Sequence, residues 1–345
     1  MQRALQLARN GLGAVSPNPM VGCVIVCDDR IIGEGWHQRF GGPHAEVNAI
    51  ESVKDKSLLT EATVYVTLEP CSYQGKTPAC SDLLIRSNVK QVVIACLDPN
   101  PKVSGAGVKA LKNNEIDVTT RVCEAESIAL NKRFFINQKL KRPYILLKWA
   151  QTRDGFIAQA NYDSKWISNE LSRQHVHQWR AEEDAILVGK NTVIHDNPSL
   201  TVRDWVGRDP IRVVLDRNLE LKEKYKLFDG EVKTLVYNTK ESVVQKKVER
   251  AKVSGNDFLN GVLNDLLNRD IGSVLVEGGS QVLNAFLEAG LWDEARVFTS
   301  EKTFGVGIQA PEITEEPNRM VKAEKDELAY YFNSKTKEHW QKNYI

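Results

Sequence analysis

Apolar runs of strand length alternate with helical patterns along most of the chain, and few architectures accommodate that rhythm. MVGCVIVC (20–27), ATVYVTL (62–68), KQVVIACL (90–97) and YILLKWA (144–150) read as strands, with helical patterns at 1–10, 44–56, 78–88 and 105–114. A second series follows: DAILVG (184–189), IRVVLD (211–216), TLVYN (234–238), SVLVEGG (273–279) and EARVFTS (294–300). Such alternation predicts α/β sheets with helices covering their faces. Between the two series, CEAESIALNKRFFINQKL reads as one helix and KRP at 141–143 as its stop. The boundary is placed near residue 143, giving domains 1–143 and 144–345, each long enough to bury a core. The charged tail TKEHWQKNYI reads as surface.

Composition matters here for what it removes. Lys plus Arg number 46 against 45 Asp plus Glu, without a basic run, so a nucleic-acid groove has no support. No apolar stretch exceeds strand length, and MQRALQLARN lacks the apolar run of a signal peptide, so no membrane span or export is expected. The 6 cysteines then read as reduced thiols of a cytoplasmic protein, and any special spacing among them as metal-binding before disulfide.

GGPHAEVNAI (41–50) places His44 and Glu46 two apart at the start of a helical pattern. That spacing suits neither a mutual pair nor two ligands of one ion in mid-helix. It does let the two side chains meet different parts of one object at a helix tip. TLEPCSYQGKTPAC follows, with Cys71 after a strand and a proline, and Cys80 after Thr-Pro, where Pro78 fits a first helical turn. A helix start favours a thiolate. His44, Cys71 and Cys80 make three ligands, the pattern of a catalytic zinc whose fourth position takes water. Glu46 would then move protons for the water that the metal activates. The set resembles the H-x-E…P-C-x-x-C signature of zinc deaminases, except that eight residues separate the cysteines. Cys23, Cys27, Cys96 and Cys123 read as core thiols.

In the second half no G-x-G-x-x-G opens a helix after a strand, so a Rossmann-type nicotinamide site has no support. VLVEGGSQVLNAFLEAG offers a strand, two glycines and an amphipathic helix, whose backbone N–H groups can hold a phosphate. Arg180 and Arg203 carry guanidinium groups, which can bind phosphate oxygens through two hydrogen bonds, and Lys148 is unusual in a buried-looking strand. Solvated arginines, a snorkelling lysine and a turn-capping Asp196 are the plainer alternatives. His195 reads as a loop histidine.

SPNPMVGCVIV, GWHQRFGGPHAEVNAI, TLEPCSYQGKTPAC and DPNPKVSGAG, in that order, resemble the deaminase half of the bifunctional riboflavin-biosynthesis deaminase–reductase family. RPYILLKWAQTRDGFIA, DSKWIS, DAILVGKNTVIHDNPSLTVR and VEGGSQVLNAF resemble its reductase half. The resemblance implies a cytidine-deaminase-like three-layer domain followed by a dihydrofolate-reductase-like domain. It implies one zinc per chain on His44, Cys71 and Cys80, Glu46 as proton shuttle, and Asn18 and His37 at the deaminase substrate. For the reductase it implies Lys148, Ser164, Arg180, Leu200, Arg203 and Glu277 around the substrate. NADPH would lie against Ala150, Trp166, Thr192, Asp196 and the turn of Gly279, Ser280, Gln281, Val282, Leu283, Asn284 and Ala285. Tyr73 stands where many members carry His, and Arg153 where many carry Leu.

The expected activity is hydrolytic deamination of a diaminopyrimidinone ribosylamine phosphate, followed by NADPH-dependent reduction of its ribosyl chain to ribityl. A homo-oligomer, dimer or tetramer, is expected, with a small molecule as the only other partner. The competing readings are a nucleoside or free-base deaminase with a merely nucleotide-binding second domain, a nucleic-acid-editing deaminase, and a non-catalytic zinc scaffold.

Overall fold

A computed structural model describes residues 1–72, 79–100, 103–165 and 167–340. The chain divides into two compact units, one spanning Met1–Lys141 and rejoined from Glu338 onward, the other Arg142–Lys337.

In the first unit, α1 (Gln2–Arg9), β1 (Gly22–Cys27), β2 (Arg30–Trp36), α2 (Ala45–Ser52), β3 (Thr63–Leu68) and α3 (Cys80–Arg86) come first. Then follow β4 (Gln91–Cys96), α4 (Ala106–Asn113), β5 (Asp117–Thr120), α5 (Glu124–Leu130) and α6 (Lys132–Leu140). The sheet order is β2-β1-β3-β4-β5, with β1 antiparallel to both neighbours and β3, β4 and β5 parallel. Side chains alternate across a strand, so Ile25 packs with Ala45 and Ala49 of α2 on one face. Val24 packs with Ala4 and Leu7 of α1 on the other, which makes three layers.

Strand β2 had no expectation behind it. Its sequence, RIIGEGW, is an edge with two glycines and no apolar run. The glycines are there for contact: a Cβ on Gly35 would sit 2.4 Å from the Ala49 nitrogen of α2. The single helix expected over 123–140 is two, α5 and α6, broken at Asn131. The Asn131 side chain accepts from the Met20 N–H at 2.8 Å and donates to the Met20 carbonyl at 3.0 Å. The break thus grips the loop that carries Asn18. The end of the chain also departs from expectation, because Trp340 is 5% exposed, with the Lys132 ammonium over its ring.

The second unit opens on a buried clamp. Arg142 donates two hydrogen bonds to the Asp293 carboxylate, at 2.6 and 2.8 Å, and Asp293 also accepts from the Ile145 N–H at 2.8 Å. Its elements are β6 (Tyr144–Gln151), β7 (Phe156–Gln159), α7 (Glu170–Glu182), β8 (Ala185–Gly189), α8 (Lys190–Asp196), β9 (Ile211–Leu215), β10 (Thr234–Asn238), β11 (Val243–Gln245) and β12 (Val248–Lys252). They continue with α9 (Phe258–Asn268), β13 (Ser273–Val276), α10 (Ser280–Glu288), β14 (Glu294–Thr299), β15 (Gly307–Gln309), β16 (Arg319–Ala323) and β17 (Asp326–Phe332). The main sheet runs β11-β12-β10-β9-β8-β13-β6-β14-β17-β16, parallel from β12 to β14 and antiparallel at both edges. Strand β6 lies inside it, so Ile145, Leu146 and Leu147 are all buried, as a strand covered on both faces requires.

Both units are α/β, as the alternation predicts. In an open parallel sheet ligands bind beyond the carboxyl ends of the strands, which points to the ends of β6, β8, β9 and β13.

Candidate active sites

His44 is not inside α2 but caps its start, in extended backbone, while Glu46 lies in the first turn. Two residues apart, they therefore address one spot from different backbone conformations. Cys71 leaves the end of β3 through Pro70, and Cys80 is the first residue of α3. The Cys80 N–H donates to Cys71 Sγ at 3.3 Å, and the Ser81 N–H to the Cys71 carbonyl at 3.1 Å. His44 Nδ1 lies 3.6 Å from Cys71 Sγ and 3.3 Å from Cys80 Sγ, and the three donor atoms all fall within 4.8 Å of one another. A tetrahedral zinc, with bonds of about 2.0 Å to N and 2.3 Å to S, needs its donors about 3.5–3.8 Å apart. The donor set fits that ion. No fourth protein ligand joins it among the described residues. Pro78 and Tyr73 lie outside the described residues.

The electrostatics agree with this reading. Hydrogen bonds from the Cys80 thiol and then from His44 draw the Cys71 pKa down to about 4, and sharing that bond pushes Cys80 the other way. One thiolate is at hand, and the second forms with release of a proton when a metal binds. Glu46 is 3% exposed; burial first, then the Cys71 charge, push its carboxyl pKa up. A buried carboxyl with a raised pKa can both accept and return a proton.

His37 and Asn18 meet beside this cluster. His37 Nδ1 is 2.9 Å from the Pro43 carbonyl, which can only accept, so Nδ1 carries the hydrogen. Burial lowers the His37 pKa and keeps the ring neutral. Its bare Nε2 therefore accepts from Asn18 Nδ2 at 3.1 Å, and its ring packs edge-on to His44. Sequence reasoning passed over Glu69. It is buried two residues before Cys71, and its oxygens accept four backbone N–H groups: Asp98 and Gly105 on Oε2 at 3.2 and 3.0 Å, Gly107 and Val108 on Oε1 at 3.0 and 3.3 Å. Only its place in TLEPC could have drawn notice. Cys23, Cys27 and Cys96 are buried, while Cys123 is half-buried at the start of α5.

In the second unit a cavity of about 1130 Å³ opens at the carboxyl ends of the strands. Ligand pockets commonly measure roughly 300–1,000 Å³, so this one stands at the large end of that range. It is lined by Lys148, Ala150, Ser164, Thr192, Asp196, Leu200, Arg203 and Arg180. Glu277, Gly279, Ser280, Gln281, Val282 and Ala285 line it too. Leu283 turns instead into the hydrophobic core, and Asn284 donates back to Ser280 along α10 at 3.4 Å. Trp166 lies outside the described residues. The two glycines start α10 close to α8, and the Gly279 N–H donates to Thr192 Oγ1 at 2.9 Å.

The cavity's charges are ordered. Arg180 donates to both Glu277 oxygens, at 2.8 and 2.9 Å, and Lys148 Nζ lies 3.7 Å from Glu277. Burial pushes the Glu277 carboxyl up, but Arg180 and then Lys148 hold it down at about 2. Burial lowers the Lys148 pKa. Arg180 is thus already occupied by a carboxylate, whereas Arg203 makes no ion pair among the described residues. Ser164 Oγ donates to Asp196 Oδ1 at 3.2 Å; burial, outweighing that bond, raises the Asp196 pKa. His195 is in the last turn of α8 rather than in a loop, with its ring stacked on Tyr162 at 4.1 Å.

Known proteins share both halves. The family model for the RibD C-terminal domain matches residues 143–331, and that for the cytidine and deoxycytidylate deaminase zinc-binding region matches residues 1–96. The chain is 43% identical over 317 residues to the riboflavin biosynthesis protein RibD of Aquifex aeolicus, covering 89% of this chain and 88% of that one. This chain belongs to the RibD family. RibD of Escherichia coli is 38% identical over 324 residues, covering 88% of each chain. Among solved structures, a diaminohydroxyphosphoribosylaminopyrimidine deaminase/5-amino-6-(5-phosphoribosylamino)uracil reductase of Thermotoga maritima superposes with a TM-score of 0.87 at 43% identity, covering 96% of this chain and 97% of that one. Acinetobacter baumannii RibD superposes with a TM-score of 0.88 at 35% identity and the same coverage. The deaminase-like and reductase-like α/β units expected from the motifs are those of this family.

Proposed function

We propose that this chain is the bifunctional RibD enzyme of riboflavin biosynthesis. Its deaminase unit converts 2,5-diamino-6-ribosylamino-4(3H)-pyrimidinone 5′-phosphate to 5-amino-6-ribosylaminouracil 5′-phosphate, and its reductase unit turns the ribosyl chain into ribityl with NADPH. The observation that carries the first half is the convergence of His44, Cys71 and Cys80 with buried Glu46 beside them.

When bound by these three residues, zinc supplies Lewis acidity that brings the pKa of a water toward about 7. Glu46 takes a proton from the attacking water and passes it to the ring nitrogen next to the amino-bearing carbon. It then passes the second proton of that water to the departing amine, which leaves as ammonia. Asn18 and His37 orient the pyrimidine.

In the reductase unit NADPH, when bound, would supply the hydride that reduces C1 of the opened ribosylamine. Lys148 and Glu277 hold the sugar and Arg203 its phosphate, while Asp196, with its raised pKa, delivers the balancing proton. Ala150, Trp166, Thr192 and the turn from Gly279 hold the cofactor. The site is set in the cytosol, where the thiols of Cys71 and Cys80 stay reduced. No helix among the described residues is long and apolar enough to cross a membrane. A dimer or tetramer is the expected assembly, measurable by light scattering.

The test uses zinc-loaded protein with the diaminopyrimidinone ribosylamine phosphate and NADPH, following ammonia and NADPH together. Wild type should release ammonia and then consume NADPH. Glu46→Gln should do neither from this substrate, yet still reduce the pre-deaminated one. Ammonia release without NADPH consumption would remove the reductase assignment.

A further inference from the structure

His177 stands on α7 one turn before Arg180, so both face the same way, and both line the cavity of the reductase unit. It is 4% exposed. The Arg203 N–H donates to its Nδ1 at 3.2 Å, so Nδ1 is bare. Burial, then the charges of Arg180 and Arg203, lower its pKa against the opposing pull of Asp204 and Glu277, so the ring is neutral. The hydrogen therefore sits on Nε2, which faces Asp204 Oδ2 at 3.4 Å. One imidazole thus holds two consecutive residues of the loop after β8 and α8. The same loop is held once more from α7, where Arg180 Nη1 donates to the Thr201 carbonyl at 3.1 Å. Its approach is made by Leu200 in left-handed backbone, φ 53°.

We propose that His177 is the positioning residue of the phosphate arm: by gripping the Arg203 backbone and the Asp204 carboxylate at once, it holds at the sugar-phosphate end of the cavity the Arg203 guanidinium, whose Nη1 donates only a 3.4 Å hydrogen bond to Thr201 Oγ1. This rests on the reductase reading given above. Arg180 cannot serve alone, because its guanidinium is spent on Glu277. Arg203, exposed and on a loop, would lose much of its binding to motion if its backbone were not tied down, and freezing such a group before binding lowers the entropic cost.

The ring's two nitrogens can be replaced one at a time. In His177→Asn the amide oxygen takes the place of Nδ1 and still accepts from Arg203. In His177→Gln the amide nitrogen takes the place of Nε2 and the Arg203 acceptor is lost. With pre-deaminated ribosylamino phosphate and NADPH, H177Q should raise KM about tenfold, the scale of one lost hydrogen bond of the stronger kind, with kcat within about twofold. H177N should recover most of that loss. With the same pyrimidine lacking its 5′-phosphate, H177Q and wild type should have equal KM values. An unchanged kcat on the unphosphorylated pyrimidine checks that the reductase unit of each variant is folded. Equal penalties on both substrates, a fall in kcat at unchanged KM, or H177N no better than H177Q would overturn the proposal. Failure of the reductase reading is told apart from these outcomes, because wild type would then not reduce the phosphorylated substrate at all.

Discussion

Replacing Glu69 by Gln exchanges one heavy atom and should unsettle the deaminase unit. Each Glu69 oxygen takes two backbone N–H groups at 3.0–3.3 Å, and among the described residues no basic side chain joins them. The Gln amide nitrogen must replace one oxygen, so two N–H donors lose their acceptor whichever way the amide is turned. Hydrogen bonds to a charged acceptor contribute roughly 1.5–3 kcal/mol each, and the two that survive fall to the neutral range of roughly 0.5–1.5 kcal/mol. Allowing for the smaller desolvation cost of the amide, the net loss is about 4 kcal/mol. The donors belong to the segment from Asp98 to Val108, and a Cβ on Gly107 would lie 2.2 Å from the Pro70 carbonyl. That segment thus packs on the residue before Cys71. Urea unfolding of the deaminase unit should show the loss, and the thiolate-to-metal absorption of a cobalt-loaded sample should shift as Cys71 moves. A loss under about 1 kcal/mol with an unchanged cobalt spectrum would refute the argument that this carboxylate braces the metal loop.

Gly35→Ala should push α2 outward, since the new Cβ would lie 2.4 Å from the Ala49 nitrogen; deaminase turnover should fall at least about tenfold while NADPH oxidation of the pre-deaminated substrate continues. Asp196→Asn should cut reductase turnover by about a hundredfold and abolish its alkaline decline. In wild type that decline begins above a raised carboxyl pKa, because a proton donor must be protonated to act. Glu277 gives a stability test. Its pKa of about 2, against an ordinary 4.5, means stability present above pH 4.5 and lost as pH falls through 2. The reductase unit should lose about 3 kcal/mol over that window in urea titrations, and Glu277→Gln should flatten the slope.

The strands that sequence revealed were those buried on both faces. TLVYN and SVLVEGG announce themselves because an interior parallel strand needs unbroken apolar residues. The edges β2, β11 and β16 were missed because their side chains face solvent in part and carry no such run. The cluster of His44, Cys71 and Cys80, proposed here as metal ligands, was legible because such chemistry is restricted to a few residue types at motif-like spacing. Glu69 and His177 were not, because each works through backbone N–H groups whose positions only the folded chain supplies. Asn131 shows the same limit at the level of an element: its helix-breaking role depends on Met20, 111 positions away.

The chain of hydrogen bonds through His37 has a direction. The Pro43 carbonyl can only receive, so the ring gives there and must receive from Asn18; one N–H of the Asn18 amide is thereby spent on the ring, and the other N–H and the oxygen are what it can still offer. A heterocycle edge that sets a donor beside an acceptor would match both groups of that amide, whereas an edge of acceptors alone would leave its oxygen unanswered. A proline carbonyl thus sets, through two side chains, which way round an amide is presented.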